Sequence, residues 1–148
     1  MGKPLKKLLQ SLKKRCKDNG GNRMNVQVIG LGYIGLPTAA IIAEAGHQVH
    51  GYDISDFVIN SIKSGKLHII EKGLDILVKD QIQNGRLVVD QTIKPADFHI
   101  ICVPTPFKLQ HGGHQPDLSY ILSAIKALSP VLTNGVAVIL ESTSPVGT

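Results

Sequence analysis

Three glycines stand close together in the stretch VIGLGYIGLPTAA, residues 28–40, where they fit the pattern G-x-G-x-x-G. The stretch follows an apolar run and leads into a run with helical periodicity, so it predicts a turn between a strand and a helix. Gly30 would allow the tight turn, Gly32 would let a ligand approach the backbone, and Gly35 would let the helix pack closely on the strand. The N–H groups at the start of that helix favour an anion such as a phosphate. The other interpretation is a structural turn without a ligand.

An acidic residue, Asp53, ends the next predicted strand, HQVHGYD, 18 residues beyond Gly35. A carboxylate at that place can accept hydrogen bonds from the hydroxyls of an adenosine ribose, and it repels a 2′-phosphate. It is followed by Ile54 and Ser55, where an NADP site would have a basic residue. The glycines and Asp53 together therefore predict an NAD site, and the alternative is a glycine turn beside a solvated carboxylate.

Short apolar segments typical of strands alternate along the chain with segments in which apolar residues recur at the spacing of a helix. These patterns predict the elements that would position this site. We predict strands in NVQVIG, HQVHGYD, RLVVD, residues 98–103 and GVAVILES. We predict helices in YIGLPTAAIIAEAG, SDFVINSIKSGK, GLDILVKDQIQNG and DLSYILSAIKALSPVL, and a polar loop in KLQHGGHQP. Ser55 and Asp117 are the expected N-caps of the second and fourth helices.

Strands that alternate with helices at these lengths indicate an α/β fold with a mostly parallel sheet and helices on both faces. Together with the glycine pattern, this order predicts a Rossmann-type domain. Five strands are predicted, whereas two complete mononucleotide-binding halves contain six, so we expect the sheet to be truncated after its fifth strand.

The positive charge of the chain is confined to its first residues. The net charge is +5, but residues 1–23 carry eight Lys and Arg against one Asp (+7), which leaves residues 24–148 with a net charge of −2. A mildly acidic globular part argues against nucleic-acid binding. Apolar residues recur with helical spacing in the basic segment at Leu5, Leu8, Leu9, Leu12 and Cys16.

We therefore predict a basic amphipathic helix in residues 1–23 and a separate domain in residues 24–148. Three roles are open for the helix: a solvated extension, a docking element for a membrane surface or a partner, and a nucleic-acid contact.

The segment has no continuous apolar stretch of the length that a secretory signal needs. The two cysteines, Cys16 and Cys102, form no disulfide framework, and Cys102 lies in an apolar run as a core residue would. Both observations predict a protein of the reducing cytoplasm.

The histidines give no strong functional signal. His111 and His114 form H-x-x-H in a glycine-rich loop, which is a possible metal-binding pair. There is no third ligand at a suitable spacing, so we expect a solvated loop and no metal site. His47 and His50 flank the second predicted strand and are expected at the surface.

Five segments of the chain together carry a family resemblance: VIGLGYIGLPTAA, GYDIS, HIIEKGLDILV, ICVPTPF and ILESTSPVGT. In order and spacing they resemble the nucleotide-sugar dehydrogenases of the UDP-glucose and GDP-mannose dehydrogenase family, over residues 24–148. VPTPF and ILESTSPVGT look most like the UDP-N-acetyl-D-mannosamine dehydrogenase branch. The resemblance implies an NAD-dependent enzyme that oxidises the C6 hydroxyl of a UDP-sugar to the carboxylate, for surface polysaccharide precursors. It also implies a homodimer of the full-length protein.

The resemblance also assigns Asp53 to the ribose, and it assigns nine further residues to the cofactor: backbone ligands of the pyrophosphate, the lining between adenosine and nicotinamide, and neighbours of the nicotinamide. In that order they are Gly30, Tyr33 and Ile34; Val103, Pro104 and Thr105; and Glu141, Ser142 and Thr143. Thr143 would also help to hold a water near the reacting carbon, or its hydroxyl would only cap the next helix. Glu71 matches an acidic residue that precedes a helix in the family, with or without a ligand contact.

The family's catalytic cysteine, which forms the thiohemiacetal and the thioester, lies far beyond position 148 in the family pattern. The catalytic lysine and most sugar-binding residues of the family do so too. Cys102 and Cys16 do not match that cysteine, so we expect that this chain alone does not complete the oxidation, which needs a nucleophile to trap the aldehyde. The alternatives are a non-catalytic nucleotide-binding module, a UDP-glucose 6-dehydrogenase, and a dehydrogenase of another substrate class on the same fold.

Overall fold

The structure is a computed structural model that describes residues 23–110 and 113–142, with the side chains of all of these except 108–110 and 113–115. Three sequence predictions fall outside this part of the chain. They concern residues 1–22 of the basic helix, the pair of His111 with the side chain of His114, and Thr143.

Strands and helices alternate along the described part. In chain order they are β1 (Asn25–Ile29), α1 (Gly35–Glu44), β2 (Gln48–Tyr52), α2 (Asp56–Lys63), α3 (Leu74–Gln83), β3 (Leu87–Asp90), β4 (Phe98–Ile101), β5 (Phe107–Gln110), β6 (Gly113–Pro116), α4 (Ser119–Leu128) and β7 (Ala137–Leu140). A 3₁₀ turn, Ser129–Val131, follows α4. Within residues 23–110 and 113–142, no helix has the length and apolar character needed to cross a membrane.

Five of these strands form one parallel sheet in the order β3-β2-β1-β4-β7. The chain first builds outward from β1 through β2 and β3, and then crosses to the other side of β1 for β4 and β7. The carboxyl ends of β1 and β4 therefore border a crevice, which is where sheets of this type bind ligands. The predicted Rossmann-type α/β fold is confirmed.

Side chains of the central strand β1 alternate between the two faces of the sheet, and each face has its own core. Val26 and Val28 are fully buried in the larger core, which α1, α2 and α3 cover. Ile29 faces the other side, where it packs with Ala124 and Leu128 of α4. Helices on both faces thus shield the parallel strands from water, which explains their apolar sequences.

The ends of the first two helices follow the sequence signals. Ser55 is the N-cap of α2, as predicted, because its Oγ accepts a hydrogen bond from the Val58 N–H (3.4 Å). Pro37 lies in the first turn of α1, where a missing N–H costs little. After α1, Gly46 has a φ of +98°, the left-handed conformation in which helices commonly end.

The segment after β4 differs from its prediction. The sequence predicts a polar loop in KLQHGGHQP, but the structure pairs β5 and β6 as an antiparallel hairpin, with Gln110 opposite Gly113. The paired residues Gln110 and Gly113 are separated in the sequence by His111 and Gly112, and a two-residue connection that contains glycine is a hairpin signal. The flanking residues are too polar to show the apolar alternation on which the prediction depends. Strand β4 also ends at Ile101, so the predicted strand 98–103 is two residues too long.

The predicted cap of α4 is wrong by one residue. Leu118 is the N-cap, with no side-chain cap hydrogen bond. Asp117 precedes it and accepts the Ser119 N–H at Oδ1 (3.0 Å). The carboxylate therefore still satisfies one of the unpaired N–H groups at the helix start, from outside the cap position.

His47, which precedes β2, and His50, which lies in β2, are not at the surface, contrary to the prediction. His47 is buried, with 8% of its surface exposed. The side chain of His50 is 14% exposed, and its Nε2 lies 2.8 Å from Asp90 Oδ1. β2 is an internal strand between β1 and β3, so side chains on and beside it are covered even where they are polar.

Candidate dinucleotide-binding site

The glycine loop, residues 30–35, joins β1 to α1, and each of its three glycines has a different environment. Gly30 has a φ of +89°, which L side chains rarely adopt, and a Cβ there would lie 2.7 Å from the carbonyl oxygen of Cys102. A Cβ on Gly35 would overlap the carbonyl oxygen of Gly30. A Cβ on Gly32 would meet no protein atom within 4 Å. The fold therefore requires glycine at positions 30 and 35, whereas Gly32 borders open space.

The carboxylate of Asp53 follows β2 and is bonded directly to the glycine loop. Its Oδ2 accepts the Leu31 N–H (2.8 Å), and its Oδ1 accepts the Ser55 N–H (2.9 Å). The Gly30 N–H donates to the carbonyl oxygen of Tyr52 (2.8 Å), so the end of β2 and the start of the loop are held together. A carboxylate has about four lone-pair sites, and those not used here remain for the hydroxyls of a ribose.

The start of α1 suits an anion. Ile34 is the N-cap, no side chain caps the helix, and the first turn has no acidic residue. The side chains of Tyr33 and Ile34 are exposed, at 73% and 55%. Because the N–H groups and the dipole at a helix start attract negative charge, this end of α1 fits a phosphate.

The residues that follow β4 and β7 meet at the same edge of the sheet. The hydroxyl of Ser142 donates to the carbonyl oxygen of Val103 (2.7 Å), which ties the two strand ends together. Pro104 is exposed and Thr105 is half-buried beside them. The structure thus brings four of the residues that the resemblance assigns to the cofactor to the carboxyl edge of the sheet.

Glu141, directly after β7, reaches across to α1. Its Oε2 accepts a hydrogen bond from Thr38 Oγ1 (3.4 Å) and lies 3.9 Å from Cys102 Sγ. Burial raises the pKa of this carboxyl, and the hydrogen bonds from Thr38 and Cys102 offset only part of that effect. Glu141 therefore connects α1, β4 and β7 behind the glycine loop.

Cys102 is a core residue, as predicted. It is 8% exposed, and burial together with the nearby Glu141 raises the pKa of its thiol. A nucleophilic cysteine needs access to its target and a lowered pKa, because the thiolate is the reactive form. The chemistry of a thioester-forming nucleophile therefore does not fit this position.

Glu71 lies in the connection between α2 and α3. It is exposed ahead of α3, and its carbonyl oxygen accepts the Leu74 N–H (3.2 Å). Gly73, with a φ of +82°, is the N-cap of that helix. In the described part of the chain, no group of three or more His, Cys, Asp or Glu could hold a metal ion.

Two residues that hold the glycine loop were missed by sequence reasoning. The ring Nε2 of His68 lies 3.0 Å from the carbonyl oxygen of Leu31. A Cβ on Gly51 would lie 2.9 Å from Leu31 Cδ2, so the bare backbone of β2 makes room for the Leu31 side chain. A glycine inside a strand is a signal for such a close approach, so Gly51 could have been found. His68 is 37 residues from Leu31 and belongs to no pattern that includes it.

The fold and this site define a dinucleotide-binding domain. The crevice lies where the strand order reverses, the open space at Gly32 adjoins an uncapped helix start, and Asp53 follows the neighbouring strand. These features fit the pyrophosphate and a ribose of NAD. The chain belongs to the UDP-glucose/GDP-mannose dehydrogenase family, because the NAD binding domain of that family matches residues 24–148.

Relatives and solved structures agree with this assignment. The chain is 49% identical over 122 residues to UDP-N-acetyl-D-mannosamine dehydrogenase of Escherichia coli, and 48% identical over 122 residues to NDP-N-acetyl-D-galactosaminuronic acid dehydrogenase of Ralstonia nicotianae. Each comparison covers 82% of this chain and 28% of the relative. The UDP-D-ManNAc dehydrogenase structure from Pyrococcus horikoshii matches with a TM-score of 0.78 and 45% identity, over 84% of this chain and 29% of that one. The chain thus spans less than a third of the length of these relatives.

Proposed function

We propose that residues 24–148 bind NAD, with the pyrophosphate on the glycine loop and the adenosine ribose on Asp53. The observation that carries the proposal is the Asp53 carboxylate, which accepts the Leu31 N–H at 2.8 Å and keeps lone pairs for ribose hydroxyls. Its negative charge would repel the 2′-phosphate of NADP, so the site favours NAD. The proposed cofactor contacts are Gly30, Gly32, Tyr33, Ile34, Gly35, Asp53, Val103, Pro104, Thr105, Glu141, Ser142 and Thr143.

Calorimetric titration with NAD and NADP tests this proposal. The wild-type chain should bind NAD more tightly than NADP. Asp53→Asn keeps one acceptor oxygen, for the Leu31 N–H or the Ser55 N–H, and loses the other acceptor together with the charge. It should therefore weaken NAD binding by about tenfold and reduce the ratio of NAD affinity to NADP affinity. The matched control is Asp97→Asn, since Asp97 Oδ2 accepts the Asn25 N–H (2.8 Å) at the opposite end of β1. NAD binding that is absent in the wild type, or equal in wild type and Asp53→Asn, would contradict the proposal.

We further propose that the whole protein oxidises the C6 hydroxyl of a UDP-sugar to the carboxylate, with UDP-N-acetyl-D-mannosamine as the first candidate substrate. The names of the relatives support this choice, and the Ralstonia relative makes a second N-acetylated hexosamine the next candidate. UDP-glucose is a third candidate, from the family name. We place the reaction in the cytoplasm, in the supply of surface polysaccharide precursors, and propose a homodimer. Comparing kcat/KM of the complete protein for the three UDP-sugars tests the substrate, and equal values for all three would refute the preference.

The oxidation of an alcohol to a carboxylate needs two hydride transfers, with the aldehyde trapped by a nucleophile between them. Bound NAD would accept the hydride. Thr143 is proposed to hold a water near the reacting carbon. Cys102 is buried with a raised thiol pKa, so we propose that this chain by itself does not complete the oxidation. Substrate-dependent formation of NADH by the purified chain with UDP-N-acetyl-D-mannosamine would overturn that statement.

A further inference from the structure

His68, in the connection between α2 and α3, is held in a fixed orientation against the glycine loop. Its Nε2 lies 3.0 Å from the carbonyl oxygen of Leu31, which can only accept, so Nε2 carries a proton and donates. Its Nδ1 accepts from Ser61 Oγ at 3.1 Å, and the Val58 carbonyl oxygen, 2.8 Å from the same Oγ, shares that single hydroxyl proton. The ring of Phe57 packs edge-on against the imidazole, with centroids 6.5 Å apart. Helix α2 therefore fixes the imidazole through both a hydroxyl and an aromatic ring.

The hydrogen bond from His68 also fixes the direction of the N–H group that follows Leu31. The Leu31 carbonyl group and the Gly32 N–H belong to one planar peptide unit, and the described residues contain no cis peptide bond. In a trans peptide unit the C=O and N–H bonds point in opposite directions. Because the carbonyl group points to His68, the Gly32 N–H points away from it. Among the three glycines of the loop, Gly32 is also the one whose added Cβ would border open space.

The other contacts of Leu31 do not restrain this peptide unit. The Leu31 N–H, bonded to Asp53 Oδ2, belongs to the preceding peptide unit. The Leu31 side chain is fully buried against Gly51, which fixes its Cα and Cβ. Rotation about ψ of Leu31 would still turn the Gly32 N–H, and the hydrogen bond from His68 opposes that rotation.

We infer that His68 is a positioning residue for the dinucleotide: by holding the Leu31 carbonyl group, it directs the Gly32 N–H toward the pyrophosphate. The inference rests on the proposed function of the glycine loop. His68 acts through the loop, so its loss affects ligands that carry the pyrophosphate and spares ligands that only occupy the ribose site on Asp53.

Two variants of His68 and three ligands test the inference in the 148-residue chain. His68→Leu removes the donor, whereas His68→Gln keeps a donor for the Leu31 carbonyl group and an acceptor for the Ser61 hydroxyl. His68→Leu should raise the Kd for NAD and for ADP-ribose by about tenfold, and it should leave the Kd for adenosine, measured by NMR titration, unchanged. His68→Gln should restore most of the affinity. His50→Leu is the matched control, because it removes a histidine contact of 2.8 Å away from the loop.

Each outcome decides the question. Selective loss of NAD and ADP-ribose binding in His68→Leu, with recovery in His68→Gln, supports the positioning role. Equal loss of adenosine binding indicates a general structural role and overturns it. If the wild type binds NAD and His68→Leu binds it equally well, this inference alone fails. If the wild type binds no NAD, the proposed function fails and the inference fails with it.

Discussion

Replacing Gly32 by alanine should weaken NAD binding while the chain keeps its stability. The added methyl group meets no protein atom within 4 Å, and Gly32 is not among the glycines with positive φ, so the folded state accepts it without strain. The loss of a glycine also restricts the unfolded chain, which stabilises the fold by about 0.4–1 kcal/mol. The methyl group would nevertheless occupy the space next to the backbone that a phosphate needs. We expect the Kd for NAD to rise at least tenfold, or about 1.4 kcal/mol.

Gly35→Ala is the matched comparison, because the same substitution three residues away meets a different environment. Its Cβ would overlap the carbonyl oxygen of Gly30, a backbone atom that cannot rotate away. Helix α1 must then shift away from β1, and overpacking of this kind costs about 3 kcal/mol. The smaller conformational entropy that alanine loses on folding offsets at most about 1 kcal/mol. The net loss of about 2 kcal/mol should lower the midpoint of thermal unfolding by roughly 5–10 °C.

Thermal unfolding followed by circular dichroism and calorimetric titration with NAD separate the two variants. Gly32→Ala should unfold at or slightly above the wild-type midpoint and bind NAD poorly, whereas Gly35→Ala should unfold earlier. If Gly32→Ala is destabilised as much as Gly35→Ala, position 32 does not border open space in the folded chain. If Gly32→Ala binds NAD with wild-type affinity, the pyrophosphate does not lie against this part of the loop.

Two further predictions concern buried side chains. In a Cys16→Ser background, Cys102 should react with a maleimide only on unfolding, because burial and Glu141 raise its thiol pKa; rapid labelling of the native chain would refute this. Burial lowers the pKa of His99 in the folded state, so the unfolded state takes up the proton first, and stability should fall as the pH drops below about 6.5. His47 contributes in the same direction. His99→Leu should reduce this loss and raise the unfolding midpoint, because both ring nitrogens of His99 are buried without hydrogen-bond partners among the described residues. If the unfolding midpoint changes with pH in the same way for the wild type and for His99→Leu, the loss of stability at low pH does not come from His99.

The parallel sheet could be predicted because each of its strands has a sequence pattern that is visible within a few consecutive residues. A strand covered on both faces is mostly apolar, and β1 and β4 are short, mostly apolar segments between helical periods, each with one buried polar residue, Gln27 or His99. The glycine loop is also local, since Gly30 and Gly35 are five residues apart and meet in one turn. Asp53 could be placed because it follows the next strand, and parallel neighbours bring their carboxyl ends to the same edge.

The errors arise where tertiary contacts override local pattern. His50, Gln27 and His99 are polar, and alternation alone would expose such residues. They lie in register on three neighbouring strands. Gln27 and His99 are buried there, and the side chain of His50 is 14% exposed. Gln27 is tolerated there partly because its Oε1 accepts the Lys94 N–H (3.0 Å). The hydrogen bond from His68 to Leu31 joins residues that are 37 positions apart, and no periodicity records a contact of that kind.

The double use of the Asp53 carboxylate has a consequence for how coenzyme preference can change in evolution or by design. A small or basic residue at position 53 would admit a 2′-phosphate, but it would also remove the acceptor of the Leu31 N–H, which belongs to a fully buried residue. The first step from NAD toward NADP would therefore loosen the loop that both coenzymes need. A successful conversion has to supply a new acceptor for that N–H before, or together with, the exchange of Asp53. The preference of this domain for NAD therefore depends on the hydrogen bond between Asp53 and the loop as well as on the negative charge of Asp53.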